Sequence, residues 1–132
     1  MRIMVDTNIL LSALVFNSAK MADLLEYVAE KHTLVLCSYV IEEAKTVITR
    51  KSPKYETVLD SFLSKMSFEL AYTPAWHPNM PDIRDEKDKP VLASAIVADV
   101  DLLITSDKDF FTVEIERPEI ISPHCFLEKY EF

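Results

Sequence analysis

Four carboxylates stand where strand and helix patterns would converge. Asp6 follows an apolar run at 2–5, Glu43 lies inside a helical stretch, Asp88 opens another, and Asp107 follows an apolar run at 102–105. Carboxylates gathered at one point repel each other unless a cation joins them. Oxygen-only ligands suit Mg²⁺ or Mn²⁺. A cation held there would activate water for attack on phosphorus, so phosphodiester hydrolysis is the chemistry these residues point to.

Such a site needs elements that bring its members together. Residues 2–5, 33–37 and 102–105 are short apolar runs suited to buried strands, and 120–121 is a shorter one. A helix with Met21, Leu24, Leu25 and Val28 on one face follows Asn17 and Ser18, with Ser18 placed to cap it. The next starts at Ser38 and carries Val40, Ile41, Ala44, Val47 and Ile48. Pro53 begins a further helix with Val58, Leu59, Phe62 and Met66, followed by a loop through Pro74, Pro78 and Pro81. Pro90 suits the first turn of a helix bearing Val91, Leu92, Ala95 and Ile96, and a last helix covers 123–130. At about 100° per residue, Glu43 falls on the edge of its helix's apolar stripe while Glu42 points nearly opposite. Asp88 projects along the stripe of Leu92 and Ala95, which turns it inward.

Strands alternating with helices predict an α/β fold, a three-layer arrangement of a largely parallel sheet flanked by helices, in one domain spanning 1–132. Ligands of such sheets bind beyond the carboxyl ends of the strands. Asp6 and Asp107 fall there, with Glu43 and Asp88 leaning in from helices.

The chain has no glycine in 132 residues, where usage of about 7% would give roughly nine. That removes the glycine-rich phosphate cradles, so no nucleotide cofactor is expected. Net charge is -8. From Asp82 onward there are 13 acidic and 6 basic residues, against 9 and 8 before it. Nucleic-acid binders ordinarily present a basic face. Contact with nucleic acid here would run through bound cations and a local patch of Lys45, Arg50, Lys51 and Lys54, which reads equally well as a solvated helix end. Cys37 and Cys125 match no zinc or CxxC spacing and are expected to be buried free thiols. His32, His77 and His124 are scattered and read as structural. The longest apolar stretch, 9–16, is far shorter than the ~20 residues a membrane span needs. Arg2 is the only basic residue ahead of it and Asp6 precedes it directly, so neither a secretory signal nor a membrane anchor is expected and the location should be cytoplasmic.

Each carboxylate also has a structural explanation. Asp88 could cap a helix, Asp107 begin a turn, Glu43 be a solvated edge residue, and Asp6 accept from backbone amides of the next helix. An acid directly after a buried central strand is the hardest to explain that way, because an uncompensated charge there costs several kcal/mol. Taken together the four favour metal.

Four strings in order, Ile3-Met4-Val5-Asp6-Thr7-Asn8, Glu42-Glu43-Ala44-Lys45-Thr46-Val47-Ile48, Arg84-Asp85-Glu86-Lys87-Asp88 and Leu103-Ile104-Thr105-Ser106-Asp107-Lys108-Asp109-Phe110, resemble the successive motifs of PIN-domain proteins. The similarity runs across almost the whole chain and is nearest to the toxin components of bacterial toxin-antitoxin pairs. It implies a Mg²⁺- or Mn²⁺-dependent endoribonuclease of single-stranded RNA, an antitoxin partner and a homodimer. Asp6, Glu43, Asp88 and Asp107 match the acidic quartet, and Asp85 and Asp109 match further acidic positions of some members. Asn8 matches a polar position that supports the first aspartate, and Ser106, after Thr105, a small position before the last one. The chain departs from the pattern where glycine commonly precedes the strand at 102–105, here Asp99-Val100-Asp101, and where Pro90 replaces a polar residue.

Two other readings compete. A haloacid-dehalogenase-like phosphatase needs a second acid two positions after its nucleophilic aspartate, and Asn8 stands there, with Leu10 at the threonine position. A PIN fold serving only as a binding module is compatible with the acidic surface.

Overall fold

A computed structural model describes residues 1–75 and 80–130; His77 and Pro78 lie outside the described residues. In chain order the elements are β1 (Arg2–Val5), α1 (Thr7–Leu14), α2 (Ala19–Lys31), β2 (Thr33–Cys37) and α3 (Ser38–Lys51). A 3-10 turn (Pro53–Tyr55), α4 (Glu56–Lys65), β3 (Glu69–Ala71), α5 (Lys89–Val97) and β4 (Leu102–Ile104) follow. A second 3-10 segment (Lys108–Thr112), β5 (Glu119–Ile121) and α6 (Pro123–Lys129) complete the set.

The five strands form one sheet in the order β3-β2-β1-β4-β5, with every neighbouring pair parallel. Ile3 to Val5, Leu34 to Cys37 and Leu102 to Ile104 are all buried. Both faces of these strands are covered, which is why they read as continuous apolar runs rather than alternating ones. The covering helices are one-sided: α2 buries Leu24, Leu25 and Val28, and α3 buries Val40, Ile41, Ala44 and Ile48. The predicted parallel sheet between helices is the observed architecture.

The strand order winds outward from β1 through β2 and β3, then crosses back to place β4 and β5 on the other side. The reversal falls between β1 and β4, and the crevice beyond the carboxyl ends at such a point is where open α/β sheets bind ligands. Val5 lies opposite Ile104. Asp6 and Thr105, the next residue of each strand's chain, therefore leave the sheet side by side.

Several local features differ from the sequence reading. The apolar stretch beginning at Ile9 belongs to α1, which buries Ile9, Leu10 and Leu11 and is capped by Asp6. β3 shows no apolar run, since Glu69 and Leu70 are exposed. It is an edge strand that exists through backbone pairing with β2 and an ion pair of 2.5 Å between Glu69 and Arg2. β4 stops at Ile104, one residue short of expectation, and α6 ends at Lys129. Cys37 is buried as expected, but Cys125 is exposed. It neighbours Phe126, the residue α6 buries, and a step of about 100° carries its side chain outward.

Without glycine, the left-handed backbone positions among the described residues fall to Asn17 (φ 53) and Asp99 (φ 54). Asn and Asp tolerate that region better than other residues carrying a Cβ. Asp99 stands in the turn where the family resemblance would place glycine.

Candidate metal centre

Asp6 is 4% exposed and caps α1. Its Oδ1 accepts from the Ile9 amide at 3.1 Å, and its Oδ2 accepts a short hydrogen bond from the Thr105 hydroxyl. Thr105 Oγ1 in turn accepts from the Asp107 amide at 3.0 Å. One buried hydroxyl thus ties the Asp6 carboxylate to the backbone of Asp107, just beyond β4. Asp107 Oδ1 accepts from the Asp109 amide at 2.9 Å, opening the 3-10 segment at Lys108. Ser106 is exposed. Asn8 is exposed as well and makes no bond to Asp6 among the described residues, so Thr105 and the Ile9 amide supply that support.

Asp88 occupies the cap position of α5 but makes no side-chain cap bond. It lines the cleft, and its buried Oδ2 has no hydrogen-bond partner among the described residues. Asp85 shapes the preceding turn, accepting from the Lys87 amide at 2.9 Å through Oδ1 and from the Asp88 amide at 3.0 Å through its carbonyl. Glu43 is half-buried and its Oε2 accepts from the Tyr39 hydroxyl at 3.4 Å, whereas Glu42 is exposed and faces Lys45 at 3.9 Å. The helical phase that separated these two glutamates is the observed one.

Asp6, Glu43, Asp85, Asp88 and Asp107 line one cleft of about 210 Å³, together with Thr7, Asn8 and Lys87. Among the described residues, the carboxylates close enough for a shared coordination sphere are three that line it, Asp85, Asp88 and Asp107, together with Asp109 beside it; their oxygens lie within 4.8 Å of one another. Asp6 and Glu43 share the cleft with that group without belonging to it. Asp6 has both oxygens engaged at its floor, and Glu43 enters from α3.

Burial pushes the Asp6 carboxyl above its ordinary value, with the charges of Asp107 and Glu43 adding to the effect and the bonds from Thr105 and Ile9 opposing it. Burial also pushes Asp88 up, to about 7, helped by the hydrogen bond its protonated form makes with Asp107 and by the charges of Asp107, Asp85 and Asp6. Two acids that resist ionisation, side by side at a strand switch point, are what a divalent cation would relieve. The donor set fits one. All candidate ligands are oxygens, and the two buried side-chain oxygens without a partner among the described residues, Asp88 Oδ2 and Thr7 Oγ1, belong to residues that line this cleft.

None of the four expected phosphate-contacting residues lines the cleft. Lys45 is exposed beside Glu42, Arg50 and Lys51 occupy the last turn of α3, and Lys54 lies over the Tyr55 ring at 5.4 Å. A helix C-terminus favours cations, which accounts for Arg50 and Lys51 without a ligand. The basic side chain at the cleft is Lys87, and its place in the string Arg84-Asp85-Glu86-Lys87-Asp88 was the available signal. Thr7 leaves no sequence signal, because an orphaned hydroxyl emerges only from packing, whereas Tyr39 stands four residues before Glu43 on α3, the spacing at which helix side chains meet. A wider groove of about 660 Å³ between α2 and α4, lined by Leu14, Val58, Phe62 and Met66 with Glu26, Glu30 and Lys65, contains no member of the acidic cluster. No single helix among the described residues is long and apolar enough to cross a membrane.

Comparison with known proteins follows the same lines. The family described as PIN domain matches residues 2–109. Among solved structures, a chain of VapBC2 from Rickettsia felis, determined bound to a DNA fragment from their promoter, is similar with a TM-score of 0.68 and 21% identity. The match covers 92% of this chain and 97% of that one, and at such identity it speaks for the fold. No curated protein matches the sequence.

Proposed function

Because this chain belongs to the PIN-domain family, we propose that it is a divalent-metal-dependent endoribonuclease of single-stranded RNA that serves as the toxin of a toxin-antitoxin pair. The observation that carries this reading is the cleft itself, where five carboxylates converge and Asp88 presents an unpartnered buried oxygen. Asp6, Glu43, Asp88 and Asp107 would hold Mg²⁺ or Mn²⁺, with Asp85 and Asp109 as further ligands. A bound cation of this kind supplies Lewis acidity toward a phosphate oxygen and lowers the pKa of water.

The protein's own groups divide the remaining work. Thr105 holds Asp6 and Asp107 in register through its two hydrogen bonds. The Thr7 hydroxyl lies buried at the cleft wall without a partner among the described residues. Lys87 places an ammonium at the cleft, where the next phosphate of a backbone would lie. Bases are read elsewhere, since nothing in an acidic cluster discriminates among them. The likeness to a chain of VapBC2 supports a partner protein, and a cytoplasmic homodimer completes the proposal.

A net charge of -8 favours a second reading, in which the same fold binds a partner without catalysis. Incubating the purified protein with a single-stranded RNA oligonucleotide separates the two. Cleavage is expected with Mg²⁺ or Mn²⁺ and should vanish when EDTA is added; cleavage that persists in EDTA contradicts the metal reading, and none under any divalent ion favours the binding module. In the same assay Glu43→Gln should lower the rate roughly 10- to 100-fold while Glu42→Gln changes it less than about twofold. Equal losses would remove Glu43 from the site.

A further inference from the structure

The first turn of α3 lacks a local cap. Its cap residue, Cys37, makes no side-chain bond, and the first N–H groups of a helix have no intrahelical acceptors. Thr73, just beyond β3, supplies what Cys37 does not. Its Oγ1 accepts from the Tyr39 amide at 3.0 Å, and its own amide donates to Ser38 Oγ at 2.9 Å.

The same hydroxyl reaches α5, where Ser94 Oγ lies 2.9 Å from Thr73 Oγ1. Ser94 is 1% exposed, and its oxygen lies 2.7 Å from the Pro90 carbonyl. A serine hydroxyl has one hydrogen and a carbonyl can only accept. Ser94 therefore donates to Pro90, and Thr73 donates to Ser94. A single directed chain results, running from the Tyr39 amide through Thr73 and Ser94 to Pro90.

Its two ends matter to the cleft. Tyr39 donates its phenol to Glu43, and Pro90 follows Asp88 by two residues on α5. We infer that Thr73 is a positioning residue whose hydroxyl fixes α3 against α5 and so sets how Glu43 and Asp88 face each other across the cleft. Thr73 itself does not line that cleft. The inference rests on the metal-site reading of the cleft given above.

Calorimetric titration with Mn²⁺, paired with thermal melting, tests it on four full-length proteins: wild type, Thr73→Val, Thr73→Ser, and Thr73→Val combined with Cys37→Ser. Thr73→Val should weaken Mn²⁺ binding roughly 10- to 100-fold, and Thr73→Ser, which keeps the hydroxyl, should stay within about threefold of wild type. Cys37→Ser gives α3 its own cap, so the double variant should recover melting temperature without recovering Mn²⁺ affinity. It also carries the comparison if Thr73→Val alone does not fold. Wild-type affinity in Thr73→Val, or recovered affinity in the double variant, overturns the inference while leaving the metal site standing. A wild-type protein that binds no Mn²⁺ fails the metal-site reading itself, and the inference with it.

Discussion

Asp6→Asn should reduce metal-dependent RNA cleavage by at least ~10²-fold, because a cation centre supplies several kcal/mol of transition-state stabilisation and each 1.36 kcal/mol is a factor of ten. The fold should be unharmed. Asn retains an oxygen for the Ile9 amide that now bonds Asp6 Oδ1 at 3.1 Å, and although its NH2 cannot accept from the Thr105 hydroxyl, that loss is offset by removal of a charge that burial and the neighbouring Asp107 and Glu43 disfavour. Melting temperature is therefore expected to hold or rise as activity disappears. This opposition between stability and activity is what a strained functional cluster produces. A capping aspartate of purely structural value behaves the other way, since its loss costs about 1 kcal/mol and leaves catalysis alone. Cleavage assays and thermal melts on the one variant distinguish these cases.

The second large effect is on stability. Burial pushes the Asp88 carboxyl up to about 7 in the folded protein, from an ordinary value of 3.8. Between those values the folded state binds the extra proton, so metal-free stability falls as pH rises from 3.8 to about 7 and the contribution is gone above that. Asp6 acts in the same direction. Allowing for solvent at the cleft mouth, Asp88 accounts for on the order of 2 kcal/mol. Asp101, held below its ordinary value chiefly by the Arg2 amide, and Glu119, held down chiefly by Lys129, act in the opposite sense at lower pH. The metal-free melting temperature should therefore peak near pH ~4 to 5 and decline toward neutrality.

Mg²⁺ should reverse that decline. Ligand carboxylates must be ionised to bind, so cation stabilisation grows with pH. At a hundredfold excess over Kd the gain is ~2.7 kcal/mol, or roughly 10 °C for a protein of this size. Melting curves at pH 5 and pH 8, each with EDTA and with Mg²⁺, give the four values needed. A Mg²⁺ increment that is equal at both pH values, or absent, would contradict ionisable ligands at the cleft.

Much of this arrangement is legible in the sequence. Apolar runs buried on both faces, such as Ile3-Met4-Val5, together with the helical stretches that alternate with them, announce a parallel sheet covered on both sides, and the acid that ends each run falls at the sheet's carboxyl edge. Helical phase distinguished Glu43 from Glu42 because one turn of α3 has only one buried side. β3 was not legible, since an edge strand with Glu69 and Leu70 exposed leaves no apolar signature and depends on its neighbour's backbone. The exposure of Cys125 turned on which face of a seven-residue helix meets the core. The basic patch carried too little positional information, because a lysine-rich helix end looks the same whether it meets phosphate or water. The closest acidic grouping, Asp85, Asp88, Asp107 and Asp109, depends on turn geometry after Arg84 and Ser106, where spacing along the chain says little about separation in space.

We propose above all that the cleft at the β1–β4 reversal is a divalent-cation centre. A crystal soaked in Mn²⁺ and measured for anomalous scattering tests it directly. A peak is expected within coordination distance of Asp88 and Asp107, and it should be lost in Asp6→Asn. A cleft with no anomalous density at saturating Mn²⁺ would contradict the claim.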